Sequence, residues 1–326
     1  MLAALATALT VSGILSWLLA NARGHWQVSD MPNERSLHTR PTPRTGGIAM
    51  LFGSGAGLYA AWLWQGIVII GLPLTVSILV LAIVALVDDR HNLSVGLRLL
   101  VQTGLVAWLL NSYQIPDPGV LLPIALLLFL VWMINLYNFM DGMDGFAAGM
   151  AMFGFGTFAA LAWQAGHVEL ALGCAVTVAA CAGFLMLNFP PAKLFMGDAG
   201  STVLGLLAGS VILLSHVENI LPLWLGILIF SPFVVDASIT LTTRMWHGER
   251  FWLPHRTHYY QRLVRIGWGH RQTLLAEYTL MTACCGSAII ASNLPLAGQW
   301  AIMALWGLIY IVLIRAVSMA ERHLSK

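Results

Sequence analysis

The chain has 326 residues, of which 59% are hydrophobic and only 9% carry a charged side chain. Soluble domains carry about 25% charged residues, so this composition excludes an ordinary water-soluble globular protein. The formal net charge of +2 is close to neutral and gives no indication of nucleic-acid binding. We therefore expect an all-α integral membrane protein in which residues 1–326 form a single domain.

Apolar runs recur along the whole chain. Each run is about 20 residues long, which is enough to cross a bilayer core as a helix. They predict a polytopic bundle of about eleven transmembrane helices. The four cysteines lie inside these runs, which predicts membrane-buried thiols rather than a disulfide framework. The predicted spans lie near 2–20, 46–65, 67–87, 97–112, 119–137, 146–164, 169–187, 200–216, 221–242, 273–292 and 297–317.

The basic residues are distributed asymmetrically between the loops that join these spans. All 16 Lys and Arg residues fall in or beside alternate loops, which lie on one side of the membrane if there are eleven spans. Cytoplasmic loops carry an excess of Lys and Arg, so the N-terminus is expected outside and the C-terminus in the cytoplasm. The predicted cytoplasmic segments are 21–45, 88–96, 138–145, 188–199, 243–272 and the tail after 317.

Segment 33–47, NERSLHTRPTPRTGG, is the first basic segment. It contains Arg35, Arg40 and Arg44 and ends in Gly46–Gly47. Arginines suit a strip that holds phosphate groups, and glycines let the backbone approach a ligand closely. The alternative is a basic flank of the membrane that ends in a turn.

Asp88 and Asp89 follow an apolar run directly and open the segment 88–98. Adjacent carboxylates at a membrane boundary repel each other unless a cation or strong donors offset them. The pair is expected to help place Mg²⁺ or to accept a proton from a phosphate acceptor. The alternative is a pair of solvated loop acids. Arg98 lies just inside the next span, where its long side chain is expected to snorkel.

Segment 135–147 carries a ladder of polar side chains. Asn135, Asn138, Asp141 and Asp144 follow one another at intervals of three residues, which stacks them along one face if the segment is helical. Gly142 and Gly145 indicate that the helix opens into a loop there. The ladder would descend from the membrane to an aqueous mouth. The segment lacks the frame and the closing Glu of an EF-hand, which excludes a calcium loop of that type.

Segment 188–202, NFPPAKLFMGDAGST, brings Asp198 next to Gly200 and Ser201 at the start of a span. Free N–H groups at a helix start favour anions and suggest a phosphate cradle. A carboxylate beside a bound phosphate is unfavourable unless a cation intervenes, and Mg²⁺ bridging Asp198 and a pyrophosphate would remove this conflict. The alternative for Asp198 is an ordinary helix N-cap.

Segment 244–272 is the largest loop and contains six Arg and four His. At its centre lie His255, Arg256 and His258. Such a loop is suited to phosphate, nucleotide or anionic lipid. Zinc binding is not supported, because the loop has no Cys and no HExxH pattern.

Asp236 lies within the predicted span 221–242. An ionisable group in a span is a functional candidate, and it is expected either to face an active-site cavity or to pair with Arg244. A secondary transporter also uses intramembrane acids, but with pairs near the bilayer midplane and internal repeats. Here the acids gather at one face and no repeat is found, which favours an enzyme.

Four stretches together resemble the polyprenyl-phosphate N-acetylhexosamine-1-phosphate transferase family. The resemblance implies a UDP-N-acetylhexosamine donor, undecaprenyl phosphate as acceptor, Mg²⁺ with Mn²⁺ as an alternative, and the bacterial cytoplasmic membrane as location. The stretches are Asp88-Asp89-Arg90, NLYNFMDGMDGFA (135–147), NFPPAKLFMGDAGS (188–201) and PHRTHYYQR (254–262).

The resemblance also implies roles for individual residues. Asp198 resembles the Mg²⁺ ligand, and Asp88 and Asp89 resemble the acidic pair near the acceptor phosphate. Asn188 and Phe195 resemble residues that line the uridine pocket. The predicted catalytic residues are Asp88, Asp89, Asp198, His255 and His258; the predicted metal ligands are Asp198 and Asn138; the predicted substrate-binding residues are Arg44, Asn135, Asn138, Asp141, Asp144, Asn188, Lys193, Phe195 and Arg256.

The last loop departs from one branch of the family. The branch that makes the muramoyl-pentapeptide lipid has a run of consecutive histidines, whereas here other residues separate His255 from His258. This difference favours the initiation of O-antigen or related surface polysaccharides, with phospho-N-acetylmuramoyl-pentapeptide transfer as the alternative. The expected reaction is attack of the lipid phosphate on the β-phosphorus of the donor. Direct attack and a covalent phospho-enzyme both stay open, as does the oligomeric state, for which a homodimer is one option.

Overall fold

The computed structural model describes residues 1–22, 29–30, 41–67, 71–112, 119, 121–249 and 255–324. These residues form a helical bundle, with one short antiparallel pairing between β1 (Ser29–Asp30) and β2 (Thr42–Pro43). A π-helical turn, Val264–Trp268, joins α11 to α12. The helices are α1 (Leu2–Asn21), α2 (Gly46–Gln65), α3 (Leu72–His91), α4 (Val95–Ser112), α5 (Leu121–Phe139), α6 (Phe146–Gln164), α7 (Val168–Asn188), α8 (Asp198–Val217), α9 (Leu223–Ile229), α10 (Ser231–Trp246), α11 (Tyr259–Leu263), α12 (Gly269–Ser292) and α13 (Leu296–Leu324).

The helix lengths confirm the predicted membrane bundle. Within the described residues, ten helical stretches are long and apolar enough to cross a membrane, and α9 with α10 makes an eleventh if the pair counts as one span. The predicted span at 221–242 is not a single straight helix, because α9 and α10 meet at an angle of 85°. Pro232 lies in the first turn of α10. It has no backbone N–H, so helical hydrogen bonding cannot continue through it.

Helices α6, α7 and α8 form the centre of the bundle. In the most apolar stretch of each of these helices, 67%, 56% and 78% of the residues are buried, compared with only 11% in α13. Close approach between α1 and the centre depends on small residues. A Cβ atom at Gly183 of α7 would lie 2.4 Å from the carbonyl oxygen of Leu9 in α1, so a larger residue would push these helices apart.

The candidate site lies at one end of this bundle. Because successive helices run antiparallel, the ends of α3, α5 and α7 meet the beginnings of α4, α6 and α8. Arg98 at the start of α4 contacts Asp88 near the end of α3. Ser201 at the start of α8 contacts Asn138 near the end of α5. The helix ends therefore bring residues that are distant in sequence into one region.

Candidate active site

Five charged side chains meet at this end of the bundle. Arg44 precedes α2, and its Nη2 lies 3.1 Å from Asp89 Oδ1 and 3.2 Å from Asp198 Oδ1. Arg98 is in the first turn of α4, and its Nη1 lies 2.6 Å from Asp88 Oδ2 and 4.0 Å from Asp198 Oδ2. The adjacent Asp88 and Asp89 therefore have separate arginine partners, which offset the repulsion expected from the sequence.

Asp198 is the least enclosed of the three carboxylates. Its side chain is 22% exposed, compared with 9% for Asp88 and 5% for Asp89. Asp88 also accepts a hydrogen bond of 2.7 Å from the backbone N–H of Leu93. Asp198 lies between both arginines, but its distance to each of them is longer than that of Asp89 to Arg44 or of Asp88 to Arg98. It is therefore the carboxylate best able to take a new cationic partner.

The electrostatics of this cluster follow from burial and crowding. Burial alone would lower the pKa of the Arg44 guanidinium, but the nearby carboxylates of Asp198 and Asp89 raise that pKa above its ordinary value. Burial, and then repulsion from Asp198, raise the pKa of Asp141 well above its usual range. The carboxylates outnumber the arginines that face them. A further cation would relieve this imbalance.

A cavity of about 70 Å³ opens between α3, α4, α5 and α8 and includes part of the predicted polar ladder. Asn135 Nδ2 donates to Gln102 Oε1 at 2.7 Å. The hydroxyl of Ser201 donates to Asn138 Oδ1 at 2.7 Å, so this hydroxyl is engaged within the protein. The polar residues that line the cavity are Asp88, Arg98, Gln102, Asn135, Asn138, Asp198 and Thr202.

The donor atoms at this cavity suit a hard cation that is shared with a substrate. Among the described residues, no group of three or more His, Cys, Asp or Glu side chains is arranged to hold a metal ion. Mg²⁺ is commonly bound by one or two carboxylates, with substrate phosphates and water completing its shell. The oxygen atoms of Asp198 and Asn138, which line the same cavity, fit this pattern. They do not fit a metal held by protein ligands alone.

Two predicted substrate-binding residues connect the site loops to each other. Asn188 is 4% exposed. Its Oδ1 accepts a hydrogen bond from the Gly145 N–H, and its Nδ2 donates to the Leu194 carbonyl, both at 2.9 Å. Asp144 Oδ2 accepts a hydrogen bond of 3.0 Å from the Ala192 N–H. Asn188 and Asp144 therefore hold the loop before α6 against the loop before α8.

The remaining residues of the loop before α8 have different surroundings. The Phe195 N–H donates to the Pro43 carbonyl at 2.7 Å, which connects this loop to strand β2. Lys193 is exposed. In the part of the chain that the structure describes, no ion pair joins Lys193 to the carboxylates of the cluster. Phe195 is thus fixed beside the segment that carries Arg44, whereas Lys193 lies apart from the acidic cluster.

The glycines beside the site pack against protein, and the prediction that they approach a ligand is wrong. Gly46 and Gly47 donate their N–H groups to the carbonyls of Phe195 and Met196 at 2.9 and 2.7 Å. A Cβ atom at Gly47 would lie 2.4 Å from the backbone nitrogen of Gly200. The predicted phosphate cradle at Gly200 and Ser201 relied on free donors, but their N–H groups donate to the Gly197 carbonyl at 3.1 and 3.2 Å and the Ser201 hydroxyl donates to Asn138.

Parts of both basic segments lie outside the described residues. These parts are 31–40, which includes Arg35 and Arg40, and 250–254. The predictions for those residues therefore stay predictions.

His255 and Arg256 are described, and they differ in charge. Burial, and then the neighbouring His258 and Arg244, lower the pKa of His255 to about 4. His255 is therefore neutral at neutral pH in this conformation. Arg256 is exposed and always protonated. It supplies the positive charge at this point of the loop.

Asp236 and His258 form a buried pair. Asp236 Oδ1 lies 3.0 Å from His258 Nδ1, and the two residues are 8% and 2% exposed. Arg244, which the sequence offers as a partner for Asp236, pairs instead with Glu249 at 2.8 Å. Asp236 therefore contacts the basic loop rather than the cavity that contains Asp198.

Arg98 has a different position from the one that the sequence pattern predicts. We expected its side chain to snorkel toward water, but it contacts Asp88 and lines the cavity. Gln102, one turn further along α4, was not predicted at all and binds Asn135. The sequence did contain a signal for Arg98. Arg98 lies in the first turn of α4, after a short connection from α3. Because the two helices run antiparallel, this position is opposite the acidic pair near the end of α3.

The chain resembles known proteins over most of its length. Residues 72–216 match the model of glycosyl transferase family 4. The chain is 28% identical over 278 residues to a probable undecaprenyl-phosphate N-acetylglucosaminyl 1-phosphate transferase of Bacillus subtilis, over 81% of this chain and 77% of that protein. It is 31% identical over 294 residues to the decaprenyl-phosphate N-acetylglucosaminephosphotransferase of Mycobacterium tuberculosis, over 76% of this chain and 71% of that protein. The chain belongs to the polyprenyl-phosphate N-acetylhexosamine-1-phosphate transferase family.

Membership of this family confirms the resemblance drawn from the four sequence stretches, and it makes the chain a multi-pass membrane transferase. A further relative is the phospho-N-acetylmuramoyl-pentapeptide-transferase of Levilactobacillus brevis. It is 32% identical over 184 residues, which is 56% of this transferase and 52% of that protein. The region 72–216 contains Asp88, Asp198 and the polar ladder, whereas Arg44 and the Asp236–His258 pair lie outside it.

Proposed function

We propose that this transferase moves an N-acetylhexosamine-1-phosphate from a UDP-sugar to undecaprenyl phosphate and releases UMP. The observation that carries the proposal is the position of Asp198 between Arg44 and Arg98, beside a polar cavity. The relatives in B. subtilis and M. tuberculosis are named as N-acetylglucosaminyl-phosphate transferases for undecaprenyl and decaprenyl phosphate. These names support the same class of reaction here.

Charge neutralisation is the main task of such a site, because both substrates are anions. Arg44 and Arg98 would exchange their carboxylate partners for phosphate oxygens, which match the guanidinium fork. Asp198 and Asn138 would hold Mg²⁺, or Mn²⁺ in its place. The bound ion would supply positive charge to the donor pyrophosphate. Among the described residues, the oxygen ligands at the cavity support this choice of metal.

The bond changes follow from the substrates. An oxygen of the lipid phosphate attacks the β-phosphorus of the donor and forms the new P–O bond. The bond from that phosphorus to the oxygen that bridges the two phosphates breaks, and UMP leaves with the bridging oxygen. Asp88 or Asp89 would accept the proton of the lipid phosphate, whose second pKa is about 6. Both carboxylates lie beside the arginines that would bind the phosphates.

In this proposal the site faces the cytoplasm of a bacterial inner membrane. The alternate loops that hold all 16 basic residues support this orientation through the positive-inside rule. Arg44 and Arg98 belong to those loops or their flanks, and they contact the acidic cluster. The same orientation would leave the N-terminus outside and the C-terminus in the cytoplasm.

The donor would be a UDP-N-acetylhexosamine without a peptide, and its product would start O-antigen or a related surface polysaccharide. The interrupted histidine pattern at His255 and His258 supports this choice over muramoyl-pentapeptide transfer. The lengths of the alignments favour it as well. The B. subtilis relative aligns with 81% of the chain, and the L. brevis relative aligns with 56%.

The test is UMP release by purified protein with undecaprenyl phosphate and one donor at a time. The donors are UDP-GlcNAc, UDP-GalNAc and UDP-MurNAc-pentapeptide. We expect UMP and lipid-linked sugar in equal amounts with an N-acetylhexosamine donor, only when acceptor and Mg²⁺ or Mn²⁺ are present. Turnover of the peptide donor alone would favour the alternative transferase. Failure to release UMP from any donor by correctly folded protein would refute the proposal.

A further inference from the structure

Asp236 is the most fully satisfied carboxylate among those that the structure describes at this end of the bundle. Its Oδ1 accepts hydrogen bonds from Thr240 Oγ1 at 3.0 Å, from His258 Nδ1 at 3.0 Å and from the Tyr259 N–H at 3.1 Å. Its Oδ2 accepts one from the Tyr260 N–H at 3.1 Å. Three of these four donors belong to the start of α11, so one carboxylate of α10 holds the end of the basic loop.

The ring of His258 is enclosed by this arrangement. His258 is 2% exposed. Its ring stacks on His255 with centroids 4.8 Å apart and lies 5.8 Å from the ring of Tyr260. Its Nδ1 is engaged by Asp236, and its backbone N–H donates to Gln261 Oε1 at 3.3 Å. A side chain so enclosed is better suited to hold a neighbour in position than to contact a substrate phosphate.

The exposed residues lie directly beside this buried pair. Arg256 is exposed and His255 is partly exposed, two and three residues before His258. Downstream, the Tyr260 hydroxyl donates to the Phe139 carbonyl at 3.4 Å. Phe139 ends α5 and precedes the loop that contains Asp141. The pair therefore fixes a basic segment next to the loop that carries the polar ladder.

We propose that Asp236 and His258 are positioning residues, which fix the segment 255–258 so that Arg256 and His255 meet the phosphates of the UDP-sugar. On this proposal His258 does not touch the substrate, in contrast to the catalytic role expected from the sequence. The inference rests on the proposed function, because the ligand of the segment is taken to be the donor pyrophosphate.

Substitutions at His258 separate positioning from catalysis. In His258→Asn, the amide nitrogen takes the place of Nδ1 and still donates to Asp236, but no imidazole is left to transfer a proton. His258→Ala loses the donor altogether. We expect the Asn variant to stay within about 3-fold of wild type in KM for the UDP-sugar, with an unchanged pH profile. We expect the Ala variant to raise KM about 10-fold, as fits the loss of a hydrogen bond to a charged group, with a smaller change in kcat.

A double-mutant cycle tests whether the effect passes through Arg256. Arg256→Gln should raise KM as well, and combining it with His258→Ala should add little, because residues that act through one contact are not additive. Thr240→Val is the matched control. It removes one donor from the same carboxylate without touching the basic segment, and it should leave KM and kcat unchanged. Thermal unfolding of each purified variant separates lost positioning from lost folding.

The outcomes distinguish this inference from the proposed function. If wild-type protein releases UMP but the Asn and Ala variants at His258 are equally inactive and fold normally, His258 is catalytic and the inference is wrong. Full additivity between positions 256 and 258 would overturn it as well. If wild-type protein releases UMP from no donor, the proposed function fails instead.

Discussion

Asp198 and Asp236 lie at the same end of the bundle, but the partners and the exposure of their carboxylates differ. Among the described residues, the carboxylate of Asp198 forms ion pairs with Arg44 and Arg98, at 3.2 and 4.0 Å, and its side chain is 22% exposed. Asp236 receives four hydrogen bonds of 3.0 to 3.1 Å, and its side chain is 9% exposed. The carboxylate of Asp198 is therefore held by ion pairs, and the carboxylate of Asp236 is held by four hydrogen bonds.

The two carboxylates differ in how easily they can exchange their partners. A partly exposed ion pair contributes about 0 to 1 kcal/mol, so Asp198 can give up an arginine to a metal ion or a phosphate at little cost. Removing one partner of a buried pair costs about 3 to 5 kcal/mol, so Asp236 cannot do the same. Asp198 is therefore suited to chemistry and Asp236 to structure.

The largest expected effect is that of Asp198→Asn on activity. The amide keeps the shape but loses the charge that would hold Mg²⁺, so we expect UMP release to fall by about 10³-fold, the range seen when a key electrostatic group is removed. The thermal unfolding temperature should stay within a few degrees of wild type. Normal turnover of this variant with Mg²⁺ would remove Asp198 from the metal site.

Asp236→Ala should lower the stability of the protein, in contrast to Asp198→Asn. The substitution leaves the buried N–H groups of Tyr259 and Tyr260 and the ring of His258 without their acceptor. We expect a loss of about 3 kcal/mol in the free energy of unfolding, measured by denaturation in detergent against wild type. A stability equal to that of Asp198→Asn would contradict the contrast between the two acids.

Arg98→Gln sharpens the comparison from the cationic side. Arg98 contacts Asp88 at 2.6 Å and is part of the polar cavity. If it binds a phosphate in the reaction, its loss should lower kcat/KM about 10- to 100-fold, which corresponds to about one hydrogen bond to a charged group. Arg315→Gln is the matched control, because Arg315 is exposed on the peripheral α13, and it should leave kcat/KM unchanged.

The smallest effect is expected at the opposite end of the bundle. Glu218 lies 3.7 Å from His167, and their side chains are 52% and 35% exposed. Glu218→Gln should change stability by less than about 1 kcal/mol and leave UMP release unaffected. A large loss of activity would show that function is not confined to the end of the bundle that carries Asp198.

Much of the candidate site was predictable, because the alternation of spans decides which helix ends meet. Asp88 at the end of one helix and Asp198 at the start of another had to share a side of the membrane if the spans were counted correctly. Their partners were not predictable. Arg44 and Asp198 are separated by 154 positions, and no local pattern states that one guanidinium will contact both Asp89 and Asp198.

The helical membrane bundle follows from the amino-acid sequence, because apolar runs of this length have few other stable forms in a bilayer. The chemistry at the helix ends follows from the sequence as well, since those residue types do not suit lipid. Three features depend on the packing of the folded chain: the break between α9 and α10, the packing of Gly47 against Gly200, and the contact of Asp236 with His258. Each of these features depends on how two separate segments meet. The residue pattern of a single segment does not indicate the surface against which that segment will pack.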